Sequence, residues 1–259
     1  MSSTVASSTS TSAELQYVLR LGDSSLILGQ RLSEWCGHGP ILEEDIALAN
    51  VALDLIGQAR LLLSAAGELE GRGRAEDQLA FTRAEGEYRN LSLVELPNGD
   101  FARTMLRNFL FAAFQIPLWE GLRNSSNAQL ATIAAKSIKE TRYHLRHAAD
   151  WTVRLGDGTD ESKSRMQDAL EYLWPYTNEF FTATPEDDAV AESHFGVAWP
   201  TLRPAWEAAV NPVLALAGLT APARTPFVSH GKSGRHTEHM GHLLSELQYL
   251  QRTYPGNQW

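Results

Sequence analysis

The feature that most constrains the fold is a helical periodicity that runs along nearly the whole chain. Apolar residues recur every three to four positions, and no run of alternating apolar and polar residues predicts a strand. We therefore expect an all-α bundle without internal repeats. The predicted helices, about seven in number, cover residues 13–36, 43–69, 101–123, 127–155, 160–181, 202–216 and 237–253.

Local signals set the ends of these helices. Asp100 is a candidate N-cap for the helix 101–123, and Pro175 predicts a break or bend within 160–181. The helix 101–123 carries large aromatic residues on more than one side, which predicts burial either within its own bundle or under another subunit. The acidic stretch 182–200 is expected to be irregular.

Composition restricts the function classes. The chain has 259 residues and a formal net charge of -9, which disfavours nucleic acid and anionic membranes as partners. Cys36 is the only cysteine, which favours a reducing compartment. We find no signal peptide and no uninterrupted apolar span. The sequence predicts a cytoplasmic protein with a disordered Ser/Thr-rich tail over 1–12 and a single helical domain over 13–259.

Three polar residues form a line along the otherwise apolar helix 43–69. Asn50, Asp54 and Gln58 are spaced four apart and so share one side of a helix. A hydrogen-bonded core seam explains this line, and two alternatives stay open: Asp54 as a metal ligand, or a line that faces a partner subunit. The cost of an unpaired buried polar group, roughly 1–3 kcal/mol, predicts that each of these residues meets a partner.

Two histidine-bearing stretches are also candidates for metal binding. Glu140 and His144 lie four apart, with His147 and Trp151 continuing their stripe; this spacing fits either a hydrogen-bonded pair or two ligands. The cluster of His236, His239 and His242 resembles half a zinc site that lacks its opposing pair. Packing and hydrogen bonding at a helix N-terminus is the alternative for this cluster.

A set of separate segments in matching order resembles one known family. The chain is similar to the C subunits of bacterial phenylacetyl-CoA 1,2-epoxidases, also called ring-1,2-epoxidases or phenylacetate-CoA oxygenases. The resemblance covers essentially everything after the tail and is carried by residues 19–23, 31–38, 54–60, 79–83, 139–144, 236–239 and 256–259.

The resemblance implies a ferritin-like bundle with additional helices and a structural role in aerobic phenylacetate catabolism. The di-iron centre that epoxidises the substrate then belongs to the sister A subunit. Flavin and an iron-sulfur cluster belong to a reductase subunit, and a small B subunit joins the assembly. This chain is expected to hold no cofactor and no catalytic residue. For the isolated chain, a homodimer and a monomer both stay open.

The resemblance further implies a degenerate di-iron frame. A working frame takes one carboxylate from each of two helices and a Glu-x-x-His pair from each of two others. Four positions of the frame carry residues that are poor iron ligands or none. Leu55 and Thr141 stand where glutamates are expected, and Gln58 stands where a histidine is expected. The position expected for the remaining carboxylate falls near Ala112. Glu34 and His144 match the pattern. We expect Glu34, Gln58 and His144 to remain as a polar remnant in a dry or hydrogen-bonded bundle centre.

Two other function classes stay open at the level of sequence. One is an independent metalloenzyme that uses an unusual ligand set such as Glu34, Asp54, Glu140 and His144. The other is a binding module for a CoA thioester.

Overall fold

The computed structural model describes the backbone of residues 2–257 and the side chains of residues 12–257. Gln258 and Trp259, which end the last segment of the resemblance, lie outside the described residues, as does Met1. The first helix is described from Ser2, but the side chains up to residue 11 are not, so the disordered tail over 1–12 stays a prediction.

The described chain is helical. Its α-helices in chain order are α1 (Ser2–Ser33), α2 (Leu42–Glu70), α3 (Glu76–Phe81), α4 (Ser92–Glu95), α5 (Phe101–Leu122), α6 (Ala128–Gly156), α7 (Asp160–Leu173), α8 (Pro185–Glu192), α9 (Arg203–Leu216), α10 (Glu238–Leu247) and α11 (Tyr249–Thr253). Short 3-10 helices cover Glu85–Glu87, Trp174–Phe181, Trp199–Leu202 and Gly231–Ser233. Between residues 2 and 257, no β-strand forms, and a single bridge joins His230 to Arg235. The all-α prediction is confirmed.

The prediction for the acidic stretch 182–200 is wrong in part. Residues Pro185–Glu192 form α8, whose first turn carries Glu186, Asp187 and Asp188. A proline at the first helical position and acidic residues beside the positive end of the helix both favour this start. The connector after α2 likewise contains the short helices α3 and α4.

The chain divides into two compact units, each made from segments that are discontinuous in sequence. Unit 1 contains the described residues up to Pro97, Pro185–Ser193 and the residues from Ser229 onward; unit 2 contains Asn98–Thr184 and His194–Val228. The single domain over 13–259 stays a prediction.

Helices α1 and α2 pack closely in unit 1 because a glycine opens the contact. A Cβ atom on Gly29 of α1 would lie 3.0 Å from Cγ1 of Ile56 and 3.3 Å from the carbonyl oxygen of Ala52 on α2. The missing side chain lets the α2 backbone approach α1 directly. Helix α2 ends at Glu70, and Gly71 follows it with a left-handed φ of 67°, a conformation that a residue without a Cβ adopts readily.

Buried ion pairs connect distant segments of unit 1. The Arg20 guanidinium on α1 binds the carboxylate of Asp187 on α8, and Lys232 Nζ lies 3.0 Å from the other Asp187 oxygen. Arg83 pairs with Asp23 of α1, with one nitrogen–oxygen distance of 3.0 Å. All five side chains are almost fully buried. Because buried charges must be paired, these contacts fix where the segments meet.

Aromatic packing dominates unit 2. Helix α5 is buried on nearly every side, which settles that this helix is covered within the chain itself. The Phe114 ring stacks on Phe180 at a centroid distance of 4.6 Å and meets Trp199 edge-on at 5.1 Å. Trp206 of α9 donates its Nε1 hydrogen to the Leu110 carbonyl at 3.0 Å. Aromatic pairs prefer stacked or edge-to-face arrangements, and these arrangements stabilise the fold beyond the effect of the buried apolar area.

Three helices of unit 2 begin at residues that cap them locally. Asp100, Asn127 and Thr159 each accept a hydrogen bond from the backbone N–H three residues later, at the starts of α5, α6 and α7. The Asp100 cap confirms its prediction. Helix α7 ends at Leu173, and Pro175 stands near the start of the 3-10 helix that follows, where the sequence predicts a break.

Helix α2 is long and apolar enough to cross a membrane by length and composition alone, and it is the one described helix that is. Core helices of soluble proteins pass the same test, so the criterion is weak support for a membrane span. Fewer than half of the residues in its apolar window are buried.

Candidate functional site

Unit 1 contains three of the six positions that the resemblance assigns to the metal frame. Leu55 and Gln58 are both buried on the side of α2 that faces the core. Glu34 lies just beyond the end of α1 and is exposed, with Oε1 at 2.8 Å from Nη1 of Arg31. Glu34 therefore does not share the buried environment of Leu55 and Gln58, because α1 ends at Ser33 and the chain turns there.

The polar line of α2 winds from solvent into the core. Asn50 is exposed, Asp54 is half-buried and Gln58 is buried. Residues four apart on a helix drift by roughly 40° per step, so a line of three such residues need not stay on one face. Of the three residues only Gln58 reaches the core, and the hydrogen-bonded seam stays a prediction.

Unit 2 contains the other three positions. Ala112 of α5 and Thr141 and His144 of α6 are all buried. The Thr141 hydroxyl donates to the carbonyl oxygen of Ser137 at 2.9 Å, one turn earlier in the same helix. Its polar group is thus satisfied within α6.

The remaining candidates on α6, Glu140 and His147, are half-buried and contact neighbours on their own helix. The Glu140 carboxylate lies 4.0 Å from Lys136 Nζ, and the His147 ring stacks on Tyr143 at a centroid distance of 5.9 Å. Both of these contacts join residues at i, i+4 spacing.

The donor chemistry of these positions does not fit a pair of iron ions. Leu55 and Ala112 carry no donor atom, the amide of Gln58 is a weak donor to iron, and the Thr141 hydroxyl is bound to its own helix. Among the described side chains, residues 12–257, no group of three or more His, Cys, Asp or Glu residues is placed to hold a metal ion. These positions therefore provide no ligand set for a metal-based reaction step.

A buried carboxylate organises the C-terminal histidine segment instead. Both oxygens of Glu95, on α4, accept hydrogen bonds: Oε2 from Asn90 at 2.8 Å and from His236 Nδ1 at 2.7 Å, and Oε1 from the Thr237 backbone N–H at 2.6 Å. The Glu95 side chain is completely buried. This contact fixes the residues that lead into α10.

His236 faces an acceptor at each ring nitrogen. Nδ1 meets the Glu95 carboxylate and Nε2 lies 3.2 Å from the Tyr88 carbonyl oxygen. Burial by itself lowers the pKa of His236, and the hydrogen bond to Glu95 with its negative charge outweighs that effect, so the pKa is raised. Since only an imidazolium donates from both nitrogens, this environment selects the charged form.

The three histidines of the C-terminal cluster do not converge. His242 is exposed, and the carbonyl oxygen of His239 accepts from Arg31 Nη2 at 3.4 Å. The hydrogen-bonding alternative from the sequence thus describes His236, while the zinc alternative lacks the necessary geometry in the described residues.

Sequence reasoning missed Glu95 and Arg31, which organise this region. Arg31 donates to the Glu95 carbonyl oxygen from Nε at 3.1 Å and from Nη2 at 2.7 Å, and it also holds Glu34. One signal was available, because Arg20, Asp23, Arg31, Arg83 and His236 all lie in segments that carry the family resemblance. These segments contribute buried charge pairs rather than ligands.

Comparison with known proteins identifies the family. The family model described as "Phenylacetic acid catabolic protein" matches residues 1–259. The chain belongs to this family. Its members have the ferritin-like fold, so the helices described above belong to a ferritin-like bundle used in phenylacetate catabolism.

Two curated relatives come from Escherichia coli strain K12. The chain is 52% identical over 243 residues to the C subunit of 1,2-phenylacetyl-CoA epoxidase, a match that covers 94% of this chain and 98% of that protein. It is 25% identical over 170 residues to the A subunit of the same epoxidase, covering 65% of this chain and 53% of that relative. The resemblance stated from the sequence is confirmed.

Proposed function

We propose that this chain is the non-catalytic structural subunit of a multicomponent phenylacetyl-CoA epoxidase. In this role it holds the di-iron A subunit in its working assembly. The observation that carries the proposal is the near full-length similarity to a C subunit, joined to weaker similarity to an A subunit. Similarity to both subunits is expected if one ancestral fold was duplicated, with the A subunit keeping the catalytic role and the C subunit taking the structural role.

The residues at the frame positions support this division. Leu55, Ala112 and Thr141 are buried, uncharged and unsuited to iron. Carboxylates gathered there without a cation would repel one another and take up protons, whereas these side chains carry no charge to neutralise. We read them as the remains of a ligand frame whose function has passed to the sister subunit.

The proposal includes the remaining partners and the location. A small B subunit and a reductase with flavin and an iron-sulfur cluster complete the enzyme, and the iron resides in the A subunit. The chain works in the cytoplasm, in keeping with its single cysteine and acidic charge.

Co-expression with the A subunit from the same source tests the proposal. We expect the two chains to co-purify, with iron recovered in the complex and far below stoichiometric amounts in this chain purified alone. Failure to co-elute at any concentration, or stoichiometric iron, manganese or zinc bound to this chain alone, would contradict it.

A reconstituted epoxidase separates a structural role from a catalytic one. Replacing His144→Gln in this chain should leave turnover within about twofold of the parent, since no interaction specific to the transition state is removed. The matched control is Thr141→Val on the same helix. This substitution nearly conserves the side-chain volume and should also leave turnover within about twofold of the parent. A large fall in turnover for His144→Gln with the complex intact would show that this subunit takes part in the chemistry.

A further inference from the structure

A pocket in unit 2 lies between α9, the 3-10 helix Trp174–Phe181 and the loop that follows α9. Its volume is about 240 Å³, and all of its lining residues belong to unit 2. Helix α9 contributes residues at i, i+3 and i+4, which share one side of the helix. We call this cavity the α9 pocket; its lining includes Trp174, Arg203, Trp206, Glu207 and Arg224.

Two indole rings form the apolar part of the α9 pocket. The centroids of Trp174 and Trp206 lie 5.4 Å apart, and the planes of the two rings are inclined at 40°. Trp206 is buried and is held by the hydrogen bond from its Nε1 to the Leu110 carbonyl oxygen, whereas Trp174 is half-buried. A flat ring of a ligand can stack against these indoles, and such stacking adds to the effect of the buried apolar area.

Two arginines in the lining share a single carboxylate. Nη2 of Arg224 binds Oε1 of Glu207, and Nη1 of Arg203 lies 3.7 Å from the same oxygen. These three side chains together leave one positive charge in excess. Because both arginines approach one oxygen, a single ligand carboxylate can also reach both of them, at hydrogen-bond lengths of about 2.8 Å each.

The surroundings of Arg203 favour the addition of an anion. Its guanidinium carbon lies 4.3 Å from the ring centroid of Phe181, and the side chain is half-buried. Partial burial and, next, the positive charge of Arg224 lower the pKa of Arg203, and the Glu207 carboxylate does not fully offset them. A bound anion would stabilise the guanidinium charge that this environment disfavours.

The loop that carries Arg224 is tied to the 3-10 helix. Nδ2 of Asn178 donates to the backbone carbonyl oxygens of Thr225 and Phe227, at 3.2 Å and 2.8 Å. The Arg224 side chain itself is 65% exposed. The backbone therefore keeps this guanidinium beside the pocket, while the side chain has room to turn from Glu207 to a ligand.

We propose that the α9 pocket binds a small aromatic carboxylate, with the ring of the ligand against Trp174 and its carboxylate between Arg203 and Arg224. The planar forks of two arginines match the geometry of a carboxylate. The volume is below the roughly 300–1,000 Å³ of pockets for drug-sized ligands, so it fits one ring with a short acid group rather than a nucleotide. This binding is separate from assembly with the A subunit, and its failure leaves that proposal standing.

Titration calorimetry of the purified full chain with benzoate tests the pocket. We expect a dissociation constant of roughly 0.1–1 mM, as suits so small a ligand. Benzamide keeps the ring without the charge, and acetate and inorganic phosphate carry charge without a ring. Each of these three should bind at least about tenfold more weakly than benzoate, because each lacks one of the two contacts. Benzoate that does not bind, or that binds no more tightly than any of the three, overturns the proposal.

Two variants with opposite effects locate the binding. Arg224→Gln should weaken benzoate binding by about tenfold or more, because it removes one of the two cations. Glu207→Gln should tighten the binding severalfold, because it removes the carboxylate that competes for both arginines. The matched control is Arg142→Gln, an exposed arginine of unit 2 that lies 2.7 Å from Glu120 and should leave the affinity unchanged.

The variants also provide the contrary outcomes. Equal weakening by Arg224→Gln and Arg142→Gln would place the binding outside the α9 pocket. An affinity that Glu207→Gln lowers or leaves unchanged would show that the arginines do not recognise the carboxylate. Circular dichroism and thermal unfolding without ligand check that all three variants remain folded.

Discussion

The two units differ in the interactions that hold their segments together. Unit 1 relies on buried charges between residues far apart in sequence, such as Arg20 with Asp187 and Asp23 with Arg83. Unit 2 relies on aromatic packing around Phe114 and on side-chain caps at the starts of α5, α6 and α7. Charge pairs specify one partner strictly, whereas apolar packing tolerates any side chain of suitable shape. We therefore expect the units to differ in what breaks them.

The largest effect is expected from breaking a buried pair in unit 1. Asp23→Ala should lower the free energy of unfolding by about 4 kcal/mol, because it leaves the Arg83 charge buried without its carboxylate. Denaturant unfolding measures the loss. The control is Glu120→Ala, which removes the exposed partner of Arg142 in unit 2 and should cost roughly 0–1 kcal/mol. Equal costs for the two variants would refute the special role of burial.

The next effect comes from the aromatic cluster of unit 2. Phe114→Ala should cost about 3 kcal/mol through lost apolar contact and the remaining cavity. Because that cavity is lined by apolar rings, benzene should restore part of the stability, and it should not do so for Asp23→Ala. Thermal unfolding with and without benzene checks this contrast. Rescue of both variants would erase the distinction between the units.

Capping provides a smaller contrast. Asn127→Ala should cost about 1 kcal/mol, since it removes the acceptor for the Leu130 N–H at the start of α6. Hydrogen exchange should increase at that first turn. In unit 1, Thr237→Ala at the start of α10 should cost less, because the Thr237 side chain makes no capping bond. A greater cost for Thr237→Ala would show that the caps do not differ as described.

The smallest effect is a pH dependence in unit 1. The pKa of His236 is raised in the folded protein, so its contribution to stability is complete below the unfolded-state pKa of about 6.5. That contribution disappears as the pH rises through the higher pKa of the folded state. Glu95, Tyr88 and Glu85 surround the ring, and Arg31 binds the Glu95 backbone.

Unfolding free energies at several pH values check the direction of this effect. His236→Gln should reduce the decline in stability above the unfolded-state pKa, while His242→Gln, at an exposed position of α10, should leave the decline in place. A profile for His236→Gln that matches the parent would place the dependence elsewhere.

Local physics made much of the fold predictable. The predicted ends of the helices 43–69, 101–123, 127–155 and 202–216 fall within a residue or so of α2, α5, α6 and α9. Gly71 follows the end of α2 with a left-handed φ, and Asp100 caps the start of α5 by accepting from the Arg103 N–H. Both effects involve only residues close in sequence, so a short stretch of sequence is enough to predict them. Helix α8 carried the same kind of signal at Pro185 and was overlooked beneath its acidic composition.

The candidate site was less predictable because its contacts are not local. Arg20 and Asp187 are separated by 167 positions, and no periodicity connects them. Glu34 looked like a remnant ligand by its place in the resemblance, yet its position beyond the end of α1 exposes it. Glu95 is the carboxylate that is buried and hydrogen-bonded at both oxygens. It lies in a four-residue helix, which is too short to show a sequence periodicity.

The contact between Glu95 and Thr237 implies an order of events during synthesis. A ribosome releases Glu95 long before Thr237, so the acceptor for the start of α10 is already made when that helix emerges. The segment that contains α10 can then pack against residues that have already folded. A truncation before residue 236 would remove two of the three hydrogen-bond donors to the Glu95 carboxylate, His236 and Thr237.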